Sequence, residues 1–285
     1  MLYFYTANKN ERMKTKTILL ASVACLMAAC AEDVERLAQA YLTRAQQSYA
    51  NKQYHTAKLQ IDSIKVLYPK AFETRKQSQA LLLQVELAES VNDKSYTDSL
   101  LQDMRARISP LAGQLYLDKD ARYQDVGSYY AASHRVEKNV GRSYLRPQVD
   151  ERGHHSITVF NRGKAIAAYQ LRFTAPDGTF VEVAATDAPY VTSDATGRTE
   201  RVDFVPSPIG AVGSFVKLHS GERIKVELVG HDGTRTLPFE KTDVAAMVAV
   251  HDLSMALSAV ADLEKQQQEL VRRIEFFNNR LQTNE

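Results

Sequence analysis

Seven histidines carry the acid–base potential of this chain: His55, His134, His154, His155, His219, His231 and His251. None falls in an HExxH arrangement or another spacing that lets imidazoles share a metal ion. His154 and His155 follow Gly153 at a turn, and neighbours on a strand point to opposite faces, so both read as surface loop histidines. His231-Asp232-Gly233 reads as a turn. His251 and Asp252 read as adjacent helical residues, which do not share a face, so neither pair makes a dyad. No Gly-x-Ser-x-Gly elbow, phosphate loop or dinucleotide fingerprint occurs. The 34 carboxylates are scattered, as on a solvated surface. A non-enzymatic role, with no metal and no cofactor, is therefore the expectation. A hydrolase would need an acidic or histidine pair that only the fold brings together.

Binding chemistry has a better seat. Five of the fourteen tyrosines, Tyr116, Tyr123, Tyr129, Tyr130 and Tyr144, fall within 29 residues and are interleaved with His134, Arg135, Arg142 and Arg146. Tyr and Arg dominate binding hot spots because they combine apolar area with directed hydrogen bonds. The candidate surface is Tyr123, Tyr129, Tyr130, His134, Arg135, Arg142, Tyr144 and Arg146. The alternative is that these tyrosines cover a junction between two parts of the chain. Tryptophan is absent, which weighs against a glycan-stacking platform. Lys and Arg number 36 against 34 Asp and Glu, a net +2, too even for a general nucleic-acid binder.

The elements that must hold these residues change character along the chain. Residues 30–118 read as helices. Val34, Leu37, Ala38, Tyr41, Leu42, Ala45 and Tyr49 recur at helical spacing, and a second helix runs from Tyr54 to Leu67. Further helices are expected over Phe72–Ser90 and Tyr96–Leu117. In the latter, Leu101, Met104, Ile108, Leu111 and Leu115 form a 3-4 seam, and Pro110 should kink or split it. Over 119–240 the period becomes two, with about eight short antiparallel strands. Tyr169, Leu171 and Phe173 alternate in one of them, and Ile224, Val226 and Leu228 in another. Val202–Val205 and Val212–Leu218 supply further strands, and Asp177-Gly178 and Asp232-Gly233 supply turns. From 241 to 285 a final helix keeps Leu253, Ala256, Val260, Leu263, Gln267, Leu270, Ile274, Phe277 and Leu281 on one seam. Forty such residues span roughly 60 Å. That seam needs a partner. The Leu101–Leu115 seam is the one within the chain, and self-association as a homodimer is the alternative. The class is α+β: a helical stalk, an antiparallel sandwich-like domain inserted into it, and a long C-terminal helix packing back on the stalk.

Two cysteines, Cys25 and Cys30, exclude a disulfide-built scaffold and a four-cysteine metal site. Cys25 lies in a secretory signal over 1–29, and Cys30 follows directly after it. Lys14 and Lys16 precede a 13-residue apolar run, Thr17–Ala29, too short for a comfortable membrane span, and small residues precede Cys30. Translation from Met13 would restore the usual order, because Met1–Arg12 is tyrosine-rich rather than basic. Leu26-Met27-Ala28-Ala29-Cys30 resembles the lipobox of bacterial lipoproteins, with Met27 where Leu is usual. The resemblance implies acylation of Cys30 and anchoring of the chain to a membrane through its acyl chains. In the enteric lipoproteins an aspartate directly after the cysteine favours inner-membrane retention, and Ala31 of Ala31-Glu32-Asp33 lacks that signal. The acidic residues here are similar to the surface-export signal of Bacteroidota lipoproteins, and equally suit the first turn of a helix. Residues 1–29 carry a net +3, so the mature chain carries −1.

Two further resemblances bear on architecture. Ala45, Tyr54, Ala57, Ile61, Ile64 and Pro69 resemble one tetratricopeptide repeat over 37–70, without a second copy. The segments Tyr123-Gln124-Asp125-Val126-Gly127-Ser128-Tyr129-Tyr130 and Gly141-Arg142-Ser143-Tyr144-Leu145-Arg146-Pro147-Gln148-Val149 resemble uncharacterised Bacteroidota outer-membrane lipoproteins. They imply an outer-membrane location, at the cell surface or facing the periplasm, and are silent on chemistry. The expectation for the chain itself is a binding or scaffold role with a protein partner. The rival expectation is a periplasm-facing accessory to outer-membrane assembly or transport.

Overall fold

The computed structural model describes residues 33–194, 197–205 and 211–283. The signal segment 1–29, the alternative start at Met13 and the acylation site Cys30 lie outside the described residues. The protein is α+β and divides into two units: one gathers the residues up to Tyr96 together with Gln267 onward, the other is Thr97–Gln266.

The first unit is helical. Helix α1, over 33–50, turns through Lys52, whose φ of 57° is left-handed, into α2 (Tyr54–Leu67). Ala38, Leu42 and Ala45 of α1 meet Ala57, Ile61 and Ile64 of α2. Alanine at the crossing lets the two backbones approach, and each larger aliphatic side chain buried there contributes about 1.5–3 kcal/mol. Ala71, Leu81 and Val85 close the same core from the third helix, α3 (Phe72–Ala112). Glu35 of α1 caps that helix. Its carboxylate accepts from the Thr74 hydroxyl at 2.6 Å and from the Glu73 and Thr74 N–H groups, each at 3.2 Å. Those bonds, led by the Thr74 hydroxyl, hold Glu35 below the usual carboxylate range. The end of the C-terminal helix α5 (Lys241–Thr283) also belongs to this unit, with Leu270 buried and Arg273 paired to Glu86 of α3.

Two expectations are corrected by α3. The helices expected over Phe72–Ser90 and Tyr96–Leu117 are one, because Val91–Ser95 is polar but holds no Gly or Pro to stop the ladder. Pro110 does not split it. The helix runs two residues past Pro110 and stops at Ala112, five residues short of the expected Leu117.

The second unit holds ten described strands, all antiparallel, against the eight expected. They are β1 (Tyr116–Asp118), β2 (Ser128–Tyr130), β3 (Tyr144–Asp150), β4 (His155–Arg162), β5 (Ala168–Thr174), β6 (Phe180–Ala184), β7 (Tyr190–Asp194), β8 (Gly197–Phe204), β9 (Lys225–Gly230) and β10 (Gly233–Leu237). One sheet runs β1-β2-β3-β4-β8-β7 and the other β10-β9-β5-β6. Leu145, Ile157, Val159, Val202 and Phe204 of the first sheet face Leu171, Phe173, Val226 and Leu228 of the second. Alternation put these residues inside, and all of them are buried.

Tyr169 breaks the expected alternation. The ladder between β5 and β9 shifts between Ala168 and Gln170, so a bulge turns Tyr169 outward against His231, while Ala168 is buried instead. Val212–Leu218, expected as a strand, is helix α4 (Ala211–Leu218). A short apolar run reads equally as either element. Its buried residues Val212, Gly213 and Val216 follow helical spacing, and Gly213 lets α4 close on α5. A Cβ there would stand 2.4 Å from Nδ1 of His251.

Within this unit α5 and α3 pack together as the seams require. Ile108, Leu111 and Ala112 of α3 gather with Val250, Leu253 and Leu257 of α5 around Val149 of β3, and Arg105 pairs with Glu264 at 2.6 Å. By length and composition α5 is the one described helix that could cross a membrane. Its apolar residues Val244 and Met247 lie in the sandwich core.

A buried carboxylate ties the two sheets together. Glu200 on β8 has no exposed surface. It accepts from Asn161 Nδ2 at 2.8 Å and from the Ile166 and Ala168 N–H groups, each at 3.1 Å. Asn161 in turn accepts from Arg235 at 2.8 Å. The connection from β4 to β5, which contains the left-handed Ala167, is thus held by one side chain from the neighbouring strand.

Candidate functional site

The inner face of the six-stranded sheet is defined by Leu145, Val149, Ile157 and Val159, so the intervening residues of β3 and β4 point to the outer face. There the strand register lays out a row. Tyr144 of β3 is opposite Phe160 of β4, Phe160 is opposite Arg201 of β8, and Arg201 is opposite Tyr190 of β7. The row opens outward: Tyr144 is buried, Phe160 and Arg201 are progressively less covered, and Tyr190 is 67% exposed.

A second line of rings runs beside it. Tyr116 and Tyr130 are paired across β1 and β2, with ring centroids 5.6 Å apart in an edge-on arrangement. Arg135 lies over Tyr116 at 4.7 Å. Arg146 lies over Tyr130 at 4.7 Å and over Phe160 at 5.4 Å, which joins the two lines. Each such contact contributes about 0.5–2 kcal/mol and fixes the plane of the guanidinium. The Tyr130 hydroxyl donates to Asp118 at 2.8 Å, and burial together with that bond raises its pKa.

Of the eight candidate residues, Tyr130, Tyr144 and Arg146 converge on this face. Arg135 covers Tyr116, and Arg142 donates to Asn139 Oδ1 at 2.7 Å beside it. Tyr129 points the other way, onto the α3–α5 packing. Tyr123 is 82% exposed in the loop before β2. His134 is not a surface group. It is 2% exposed, and its Nε2 meets Asp243 Oδ1 at 2.8 Å while the Ser133 hydroxyl meets Nδ1 at 3.0 Å. The other Asp243 oxygen caps α5 by accepting from the Glu240 N–H at 2.7 Å. Burial raises the Asp243 carboxyl, but the His134 and Glu240 bonds outweigh it and leave the pKa lowered. Serine, histidine and aspartate are here a strut that pins the segment after β2 to the start of α5.

His155 is likewise corrected. It is buried, not a loop histidine, because β4 begins at this residue and turns it inward opposite Val149. Neither ring nitrogen has a hydrogen-bond partner among the described residues. Burial, with His251 adding to it, pushes His155 down to about 4. His251 is lowered by burial and by Lys217, against the pull of Asp252. Its Nε2 is 3.5 Å from the Ser214 hydroxyl and its Nδ1 has no acceptor among the described residues, so none of them orients it for general-base work. His154 remains exposed and meets Asp150 at 2.9 Å.

An open groove of about 1610 Å³ lies along β9, β10 and the start of α5, floored by Val226, Phe239 and Val244. Two of its cations are already matched, Lys217 with Asp252 and Lys225 with Glu227, each at 2.7 Å.

The signal for Phe160, Arg201 and Tyr190 was present as the out-of-phase positions of amphipathic strands. Which of them become neighbours depends on β8 pairing with β4 across more than forty residues. The fold and this face define an α+β protein with two antiparallel sheets and an aromatic–arginine outer face. No family model, curated protein or solved structure matches the chain.

Proposed function

We propose that this chain is a lipid-anchored outer-membrane lipoprotein at the cell surface. It acts by binding rather than catalysis, through the outer face of its six-stranded sheet. The observation that carries the binding reading is the Tyr144–Phe160–Arg201–Tyr190 row, open at its Tyr190 end and joined by Arg146 to the Tyr116–Tyr130 pair. Tyr and Arg held rigidly by stacking lose little conformational freedom on binding. The histidines favour the same reading, since His134 is a strut and His155 is buried without a partner among the described residues.

The anchor rests on the order of basic, apolar and small residues before Cys30 and on the resemblance of Leu26–Cys30 to a lipobox. Two or more acyl chains hold stably, at about 0.8 kcal/mol per buried CH₂.

A photo-crosslinking residue at Tyr190, with one at the exposed Val66 as control, tests the binding face in native membranes. A crosslinked species specific to position 190 supports it, and identical patterns at both positions overturn it. Cys30→Ala should abolish fatty-acid labelling and release the chain from membranes. Protease shaving of intact cells should remove the protein. Survival would put the face on the periplasmic side and overturn the surface orientation.

A further inference from the structure

We infer that the Tyr144–Arg146 end of this face is a receptor for an oxyanion: a carboxylate, phosphate or sulfate group carried by a small solute or a sugar. The inference rests on the outer face being a binding surface and names what it takes.

Three observations converge on it. The Tyr144 side chain is 6% exposed, yet its hydroxyl has no hydrogen-bond partner among the described residues. Packing needs only the ring, which lies flat on Phe160, and phenylalanine would serve there equally well. A buried hydroxyl without a partner is a cost to folding, so this one is a group the fold itself does not use.

Arg146 is the second. Its guanidinium is stacked by Tyr130 and Phe160 but makes no hydrogen bond or ion pair to another described residue, and its Nε is buried without an acceptor. Stacking holds the plane and leaves the guanidinium donors without acceptors among the described residues, and a guanidinium so held can grip an oxyanion with two parallel bonds. Both groups are on β3 two residues apart, hence on the same side of the sheet.

The third is the surrounding charge. The groups that act electrostatically on the Tyr144 hydroxyl are Arg146, Arg142 and Arg201 on the positive side and Glu137 on the negative. Arg142 is engaged through Nε by the neutral Asn139, and Arg201 is matched by Asp203 at 3.1 Å. The excess is cationic, and the unused Tyr144 and Arg146 groups can donate hydrogen bonds. An anion satisfies both, and a cation satisfies neither. The partly exposed ring of Phe160 gives the carrier of the anion a flat surface to lie on.

The test is calorimetric titration of the full-length protein with inorganic phosphate, sulfate and glucuronate, with ionic strength held constant by chloride. Saturable millimolar binding is expected for at least one. Phosphate or sulfate alone would identify a tetrahedral oxyanion on a solute, and glucuronate alone a uronic-acid sugar. Arg146→Gln should weaken binding about tenfold, the loss of roughly one strong charge-assisted contact. Tyr144→Phe should weaken it several-fold while leaving the melting temperature equal or higher, which a purely structural hydroxyl would not do. Absence of saturation above the chloride background for all three, or unchanged affinity in both variants, overturns the inference. If the Tyr190 crosslink persists in that case, only the oxyanion falls. If the crosslink is also absent, the binding face falls with it.

Discussion

Tyr144 lies flat on Phe160, with ring centroids 4.7 Å apart and planes within 10° of parallel, across the paired strands β3 and β4. The contact links a buried position of the outer face to a partly open one. It also gives Arg146 a surface to rest on.

The stack should be energetically coupled. In a double-mutant cycle of Tyr144→Leu and Phe160→Leu, followed by urea unfolding, the two losses should fall short of additive by about 1 kcal/mol. Additive losses would show that the rings are neighbours without mutual stabilisation.

Glu200 should be among the costliest single positions in the sandwich. Glu200→Ala leaves Asn161 Nδ2 and the Ile166 and Ala168 N–H groups without their acceptor in a region closed to water. The expected loss is on the order of 4 kcal/mol in urea unfolding. Glu200→Gln keeps one acceptor oxygen and should lose less. Equal losses would mean that volume rather than acceptance matters there.

The buried His155 makes stability depend on acid. Its folded pKa, about 4, lies below the ordinary imidazole value of 6.5. The unfolded chain therefore binds the proton first. Stability should be complete above pH 6.5 and decline as the pH falls toward 4, by about 3 kcal/mol for this group. Asp243 adds a loss in the same direction at lower pH, because its folded pKa is also depressed. His155→Leu should flatten the upper part of the curve between pH 6.5 and 4 in thermal melts. An unchanged slope would assign the acid sensitivity elsewhere.

Much of this fold was legible from alternation. Leu171, Phe173, Val226 and Leu228 are inside because period two with apolar residues admits only one orientation. The α3 and α5 seams were equally plain, since residues at 3-4 spacing cannot stay in water along such a length. What escaped was decided by single contacts. Tyr169 is outside because one extra residue shifts the ladder between β5 and β9, and no local pattern marks that bulge. Residues 211–218 are helical because Gly213 gives α4 room to lie against His251, a fact of tertiary approach rather than of propensity.

The aromatic–arginine face was half legible. The density of tyrosine and arginine between Tyr116 and Arg146 marked the stretch that supplies Tyr130, Tyr144 and Arg146 to it, but sequence nearness does not tell Tyr129 from Tyr130. Pleating sends one to the helices and the other to the outer face. Phe160, Arg201 and Tyr190 come from later strands. Likewise, nothing near His134 or Glu200 in sequence announces Asp243 or Ala168 as partners.

The order in which the chain visits the sheets governs how it must fold. It leaves the six-stranded sheet after β4 to form β5 and β6, returns for β7 and β8, and leaves again for β9 and β10. During synthesis the larger sheet has all its strands once Phe204 has emerged. At that moment Ile157, Val159, Val202 and Phe204 still lack Val226 and Leu228. Pairings such as Ile157 with Phe204 and Phe173 with Val226 also close long loops before they yield contacts, which slows folding. A nascent chain therefore presents an incompletely covered apolar sheet over this interval, with Leu171 and Phe173 already made but Val226 and Leu228 still to come.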